Sequence, residues 1–552
     1  MSKLSLTRCV TAWLAGIALV SVASAPSAAQ APGGDNEGLQ LSGDASSAKM
    51  ACEALAATNF EAAADRPFVV QSASFKPAAE TPEPRREQLH KRAMSQGMFT
   101  YIDELPDHCE VKGYIAPAIH FVALLPTEAD WGRKTLYGAC DALCGEAQWD
   151  MAVPGMTYGF ATIATDGGHV NKRPFDGVWG YMNDQAQIDF GYDASHLAAQ
   201  TIKSLSSAMY DEAPEYSFIA GFSKGGAAGI KAALTYPEDF DGVLSRAPVV
   251  NYQAINAIRM PWIYKAVQRE DGSPILLAKD VGLIHATAIE VCDPVDGLTD
   301  GIIDDPRACD FDPAIMLCGA GETENCLSAE QVDALKKVYQ TPKGSDGSEI
   351  YPNPVEVGSE LDWPKFLVPL FPGDESFAES IGRTYIRYLA FPEDKGADYD
   401  WLSFDPVTEG DQLDALAPVY DANDPDLSAF RDAGGKMIVM HGWGDGAVSA
   451  RTSISWYESV QAEMGDTSDF IRFFLIPGNV HGHGGDGPEL STALSQLEDW
   501  VKTDTAPEML TLTKADKDRN VLRTRPVYPY PLTAQYKGTG SIDEAESFEP
   551  SE

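Results

Sequence analysis

The chain has 552 residues, 44% of them hydrophobic, enough apolar surface for a large core and more than one domain. This composition excludes a disordered or fibrous protein. The formal charge of −41, from 82 acidic and 41 basic residues, disfavours nucleic acid and anionic lipid as partners and suits a solvated surface.

In chain order, residues 1–29 read as a secretory signal peptide. Lys3 and Arg8 make a basic start, Val10 to Val22 is apolar but short for a membrane span, and small residues around Ala25–Ala29 offer a cleavage site. No other stretch is long and apolar enough to cross a bilayer. Cleavage removes Cys9 and leaves a charge of −43 and eight cysteines, Cys52, Cys109, Cys140, Cys144, Cys292, Cys309, Cys318 and Cys326. An even count in an exported chain implies disulfides, although spacing alone does not assign them.

Residues 30–48, rich in Gly, Ser, Ala and Asp, read as a flexible mature N-terminus. From about Pro117 strands and helices alternate. Ile119 to Leu125 and Gly159 to Thr165 are strand-like, Asp193 to Met209 has helical periodicity, and Ser217 to Ala220 is a short apolar strand. A helical segment, Ala227 to Leu234, and a strand at Val243–Leu244 follow. Around Tyr252 the alternation stops. Residues 252–430 are Pro-, Asp- and Gly-rich and hold four of the cysteines. Lys436 to Met440 and Phe470 to Leu475 then read as strands, and Ser491 to Val501 as a helix. The tail from Thr524 reads as irregular. The pattern is an α/β sheet interrupted by one large insertion.

The most informative motif is Gly221-Phe222-Ser223-Lys224-Gly225, a Gly-x-Ser-x-Gly elbow between an apolar strand and a helix. Such a turn holds a serine Oγ out at the end of a sheet, with the amides of the next helix facing a developing oxyanion. A serine hydroxyl needs a base, and the base an orienting carboxylate, in the chain order Ser, Asp, His. Asp445 follows the strand 436–440 on the run His441-Gly442-Trp443-Gly444-Asp445-Gly446; the plainer alternative is an Asp-Gly turn former. Behind the strand 470–475, the Gly-rich loop Pro477 to Gly485 carries two histidines, His481 and His483, and spacing does not choose between them. Asp293, Asp296 and Asp300 lie close together in a Gly-containing loop, where hard oxygens would converge on Ca²⁺; the alternative is a solvated acidic turn. One oxyanion donor is the N–H of Lys224, directly after the serine, and the loop Gly138 to Gly145 should supply the second.

Blocks from Cys52 to the tail resemble the tannase and feruloyl esterase family, which includes the mono(hydroxyethyl) terephthalate hydrolases. The resemblance is carried by Cys109-Glu-Val-Lys-Gly-Tyr-Ile-Ala-Pro, Thr165-Asp-Gly-Gly-His169 and Tyr236-Pro-Glu-Asp-Phe-Asp-Gly242. Asp499-Trp500 ahead of Ala506-Pro507, and Arg525-Pro-Val-Tyr-Pro-Tyr-Pro with Tyr536-Lys-Gly-Thr-Gly540, also match. The run Cys292-Asp-Pro-Val-Asp-Gly-Leu-Thr-Asp-Gly-Ile-Ile-Asp304 is especially specific. The resemblance implies an α/β-hydrolase fold, with residues 30–251 and 431–552 as catalytic domain and 252–430 as an inserted lid carrying a calcium loop. It implies hydrolysis of esters, often of phenolic acids, including plant phenolics. The family pattern Pro-Gly-x-x-His falls on Pro477 to His481 and favours His481 over His483. Backbone carbonyls of Leu298 and Ile302 would complete a structural calcium site with Asp293, Asp296 and Asp300. The expected bridges are Cys52–Cys109, Cys140–Cys144, Cys292–Cys309 and Cys318–Cys326.

The chain departs from the family at its centre. Where the family carries a cysteine before the serine and another after the histidine, this chain has Phe222 and Gly482. Loss of both halves together points to an elbow held by packing, with a buried Phe222 offsetting part of the roughly 2–4 kcal/mol a disulfide contributes. The C-terminal pair is lost likewise, near Tyr528 and Pro550. In the loop 138–145, Asp141 and Ala142 replace glycines; an N–H near Asp141 is the expected second oxyanion donor, with its carboxylate turned away. Arg387 and Phe391, in the aromatic stretch from Tyr385, and Val448 are candidates for substrate contact, with core packing an equal alternative for that stretch. A non-catalytic calcium- or carbohydrate-binding relative is the competing class of function, and a serine peptidase the competing chemistry. The intact Ser, Asp and His set argues against the first and the resemblance against the second.

Overall fold

A computed structural model describes residues 45–82, 85–95, 98, 101–173 and 175–552. The segment read as a signal peptide lies outside the described residues. The helix Ala45–Ala54 begins within the stretch read as a flexible N-terminus.

Among the described residues the central sheet has nine strands. In chain order they are β1 (Phe68–Lys76), β2 (His108–Ile115), β3 (Ile119–Pro126), β4 (Lys134–Ala139), β5 (Phe160–Thr165), β6 (Tyr216–Phe222), β7 (Gly242–Arg246), β8 (Lys436–Gly442) and β9 (Ile471–Ile476). Their spatial order is β1-β2-β3-β5-β4-β6-β7-β8-β9. The first three are joined antiparallel, and β3 meets β5 antiparallel. From β5 to β9 all pairs are parallel. Parallel strands need crossovers and covering layers on both faces, so their sequences are nearly continuously apolar. Strand β6 illustrates the division of faces. Ile219 joins the core beneath the helices Ala194–Tyr210 and Lys224–Thr235, whereas Phe218 and Ala220 join the opposite core with Leu494, Leu497 and Trp500 of the helix Ala493–Thr503. This is an α/β-hydrolase sheet.

Between β7 and β8 the chain makes no strand of the central sheet. It runs through helices including Met260–Val267, Ala278–Cys292, Ala329–Val338 and Phe377–Tyr388, which share a hydrophobic core around Trp363, Tyr385 and Leu335 that also takes in Leu143, Phe190 and Val448. Among the described residues four disulfides are present, Cys52–Cys109, Cys140–Cys144, Cys292–Cys309 and Cys318–Cys326. The tail is more regular than its composition suggests. Val521–Val527 pairs antiparallel with Leu510–Ala515, and Thr533–Tyr536 with Phe548–Ser551. Prolines and glycines mark the turns of this tail, and short edge strands between them tolerate both. Among the described residues no helix is long and apolar enough to cross a membrane.

Candidate active site

Strand β6 ends at Phe222, and the helix begins at Lys224. Ser223 between them has φ 58° and ψ −120°, a sharp turn that carries its side chain beyond the sheet edge. Close approach dictates the two motif glycines. A Cβ on Gly221 would lie 2.2 Å from the carbonyl oxygen of Gly225, and one on Gly225 would lie 2.7 Å from that of Ala139. The amide of Ser223 donates to the carbonyl of Arg246 at the end of β7 (2.9 Å), which pins the turn. The N–H of Lys224 opens the helix, where no preceding turn offers it a carbonyl.

Asp445 stands on the turn after β8 and is fully buried. Its Oδ2 accepts from His481 Nδ1 at 2.7 Å, and its Oδ1 accepts from the amide of Val448 at 2.7 Å. Burial pushes the Asp445 carboxyl up, but the adjacent His481 and hydrogen bonding from His441 and His481 outweigh it and hold the group well below the usual carboxylate range. His441, at the end of β8, lies 3.2 Å from Asp445 Oδ2 and is anchored by Ser453 Oγ and the carbonyl of Val448. This second histidine contact is made by a residue of the strand itself, and no motif marks it.

His481 follows β9 on its Gly-rich loop, with Nε2 3.0 Å from Ser223 Oγ. With Nδ1 donating to Asp445, Nε2 carries no proton and is placed to accept a hydrogen bond from Ser223 Oγ. His483 makes neither contact; its carbonyl accepts from Lys365 Nζ at 3.4 Å. In place of a disulfide, the Phe222 ring packs on the His481 ring with centroids 4.4 Å apart. A Cβ on Gly482 would meet that phenyl ring at 3.4 Å, so the ring fills the space between elbow and histidine loop. Phe366 also packs on His481, in a T-shaped arrangement with centroids 5.2 Å apart.

Two further groups adjoin Ser223, Asp445 and His481. The buried Asp362, from the segment between β7 and β8, accepts from the amide of His481 at 2.6 Å. Burial and the nearby Asp445 push the Asp362 carboxyl up to about 7. Lys224 Nζ donates to the carbonyl of Phe190 at 2.6 Å, and burial lowers its ammonium to about 7. The lysine side chain is thus tied to the segment that carries Phe190.

A cavity of about 540 Å³ opens over Ser223 and His481, within the usual range for small-ligand sites of about 300–1,000 Å³. Phe175, Tyr252, Met260, Phe366, Phe377 and Val448 give it an apolar and aromatic wall. Lys172 and Arg173, both exposed, stand at its edge. The 138–145 loop borders it through Asp141, Ala142 and Cys144; Ala142 and Cys144 have φ of 51° and 53°. The Asp141 carboxylate pairs with Arg92 Nη1 at 2.7 Å. Of the three substrate-contact candidates, the structure brings Val448 to the cavity. Arg387 and Phe391 lie elsewhere: Arg387 Nε donates to the carbonyl of Tyr399 at 2.9 Å, and Phe391 is buried against Phe404. That aromatic stretch packs the core of the inserted segment.

The aspartate loop is well ordered by its own backbone. Asp293 accepts from the amides of Asp300 (3.1 Å) and Gly301 (2.9 Å), Asp296 from Leu298 (2.8 Å) and Asp300 from Ile302 (3.1 Å). Asp300 also pairs with Arg525. Among the described residues no three His, Cys, Asp or Glu side chains are grouped as metal ligands, so backbone carbonyls would have to complete a site. The donor chemistry nonetheless fits a hard cation: burial, with Asp296 beside it, pushes the Asp304 carboxyl up to about 8. A calcium ion there would be held by Asp293, Asp296 and Asp300 with the carbonyls of Leu298 and Ile302, and would neutralise crowded carboxylates.

The sequence profile of the family described as tannase and feruloyl esterase matches residues 104–550. An uncharacterised esterase of Xanthomonas campestris is 31% identical over 495 residues, covering 81% of this chain and 85% of that protein. The mono(2-hydroxyethyl) terephthalate hydrolase of Piscinibacter sakaiensis is 30% identical over 515 residues, covering 80% of this chain and 85% of its own length. The crystal structure of feruloyl esterase B from Aspergillus oryzae shares the fold, with a TM-score of 0.75 at 24% identity over 91% of this chain and 100% of that one. With the profile spanning most of its length, the chain belongs to the tannase and feruloyl esterase family and is a carboxylic ester hydrolase.

Proposed function

We propose that this hydrolase cleaves esters of aromatic or phenolic acids through a Ser223–His481–Asp445 triad and an acyl-enzyme. The observation that carries the reading is the unbroken relay from Asp445 through His481 to Ser223, at 2.7 and 3.0 Å. Ser223 Oγ attacks the ester carbonyl carbon as His481 Nε2 takes its proton. The tetrahedral oxyanion rests on the amides of Lys224 and Asp141. On collapse the carbon–oxygen bond to the alcohol breaks, and His481 returns the proton to the leaving oxygen. Water, deprotonated by His481, then releases the acid and frees Ser223. Asp445 fixes the tautomer of His481 and stabilises the imidazolium in both halves. The aromatic wall of the cavity supports an acyl group with a ring.

The same reading includes export directed by residues 1–29, residues 252–430 as a lid, and a structural calcium ion in the aspartate loop. The calcium would supply charge neutralisation to that loop, and the triad chemistry would proceed without it. A panel of ferulate, gallate and terephthalate esters beside acetate and butyrate esters tests the substrate class. We expect kcat/KM to be highest for the aromatic acyl groups, and equal values for aliphatic esters would sink that preference while leaving ester hydrolysis intact.

A further inference from the structure

Asp362 is a fully buried carboxylate from the segment between β7 and β8, with no part in the Ser223–His481–Asp445 relay. Its Oδ2 accepts from the backbone amide of His481 at 2.6 Å and from that of Gly446, the residue after Asp445, at 3.2 Å. One oxygen therefore spans the loop after β8 and the loop after β9. These are the loops that carry the acid and the base. Its other oxygen, Oδ1, is buried without a hydrogen bond, and Lys365 Nζ lies 3.5 Å from it. The same lysine donates to the carbonyl of His483 at 3.4 Å, a second tie to the histidine loop.

The segment around Asp362 is itself braced. The amide of Asp362 donates to the carbonyl of Ser359 at 3.0 Å, and Trp363 Nε1 donates to Ser359 Oγ at 3.1 Å. Trp363 is fully buried. One turn later, Phe366 packs on the His481 ring. The same short stretch thus holds the histidine by its backbone and by its ring. Gly446 makes the approach feasible, since a Cβ there would lie 3.0 Å from Asp362 Cβ and 3.2 Å from Trp363 Cδ1.

A carboxylate is an expensive group to bury beside another carboxylate. Two amide donors would be served at lower cost by a neutral acceptor. With its carboxyl pushed up to about 7, the group carries its charge fully only above neutral pH, and there the ionised form adds a stronger, charge-assisted grip on both amides.

We propose that Asp362 is a positioning residue for ester hydrolysis: it clamps the His481 loop to the Asp445 loop and keeps Nε2 aimed at Ser223. The inference rests on the triad reading above. It makes the inserted segment a working part of the catalytic geometry as well as a wall of the cavity. A base displaced by about 1 Å costs roughly a hundredfold in rate, so holding two loops in register has a large effect.

The test is steady-state hydrolysis of p-nitrophenyl acetate by the full-length chain, with kcat referred to serines titrated by a fluorophosphonate. Asp362→Ala should lower kcat about a hundredfold and Asp362→Asn roughly tenfold, with KM within about threefold of the parent in both. The asparagine oxygen still accepts from the two amides but without charge, so partial rescue is the mark of positioning. Gly446→Ala displaces the carboxylate without removing it and should lower kcat in the same way. Adding Asp362→Asn to Gly446→Ala should then cost little more, because both act on one contact. Should Asp362→Ala fail to fold, the asparagine and glycine variants carry the test. A kcat per titrated serine within twofold of the parent in the Asp362 variants that fold, or a loss confined to KM, overturns the proposal. Ser223→Ala is measured alongside. If it stays active, the triad reading fails; if it is inactive while the Asp362 variants behave as the parent, the clamp alone fails.

Discussion

Ser223 sits at φ 58° and ψ −120°, a conformation that costs an L-residue on the order of 1–3 kcal/mol and persists because the turn around it is fixed. Replacing Ser223 with alanine should lower kcat by roughly 10³ or more and leave thermal unfolding little changed, as calorimetry beside ester assays would show. His481→Ala should be nearly as severe, whereas His483→Ala should stay within about threefold of the parent; the reverse order would mean the wrong histidine carries the relay. Phe222 is a more specific case. Its ring lies against His481 and closes on Gly482, so Phe222→Ala opens a void under the base. We expect a lower melting temperature and about a tenfold fall in kcat, since Phe→Ala in a core costs about 3–5 kcal/mol. Unchanged kcat in that variant would show that packing does not orient His481. The residues of this relay were legible in the sequence for a physical reason. Ser223, Asp445 and His481 each follow a strand end within a few residues, on turns that need glycine. His441 and Asp362 were not legible. The role of Asp362 exists only through contacts with Gly446 and His481, 84 and 119 residues away in the chain.

The elements tell the same story at longer range. The parallel strands β6, β8 and β9 were readable because they are buried on both faces and bounded by turns. Strand β1 lies at the sheet edge with β2 beside it, both mixing polar with apolar residues, and β4 begins with Lys134, whose buried ammonium reaches Glu498. Their patterns are diluted by contacts that only the fold supplies. The inserted segment meets the chain just past the histidine loop again, through an ionic contact to Asp486. His285, on the helix Ala278–Cys292, lies between Glu360 (2.9 Å) and Asp486 (2.8 Å). Burial lowers its affinity for a proton, but hydrogen bonds to Asp486 and Glu360 outweigh this and raise it from 6.5 to about 9. A raised folded value means the folded state binds the proton more tightly. The stabilisation is therefore whole below about 6.5 and is lost as pH climbs through about 9. Melting temperatures from pH 6 to 10 should fall more steeply for the parent than for His285→Gln, the two curves drawing together above pH 9. Parallel curves would show that this contact contributes nothing to the pH dependence.

At the scale of the whole molecule, a formal charge of −41 makes any test of calcium ambiguous unless it is designed around that charge. Self-repulsion of the folded chain is relieved by salt of any kind, because the screening length falls from about 10 Å at 0.1 M to about 3 Å at 1 M. Sodium chloride alone should therefore raise the melting temperature, and calcium chloride would do so even without a site. A bound ion differs in two respects. It acts by mass action at concentrations near its dissociation constant, too low to change ionic strength, and it depends on named ligands. The loop from Asp293 to Asp304 concentrates carboxylates, and only Asp300 among them is paired with an arginine in the contacts described. Asp293 spends its oxygens on the amides of Asp300 and Gly301, which leaves Asp296 crowded against Asp304. We expect EDTA at constant ionic strength to lower the melting temperature by several degrees, and submillimolar calcium to restore it where matched sodium does not. Asp296→Asn should abolish that restoration, and the initial rate of ester hydrolysis at room temperature should change less than twofold in either treatment. The separation follows from placement, since the loop's bonds run to its own backbone and to the arginines of the tail strand rather than to Ser223, His481 or Asp445. If chelator and calcium give the same melting temperature at matched ionic strength, the acidic loop is a solvated turn braced by Arg523 and Arg525, and the cation leaves the description of this enzyme.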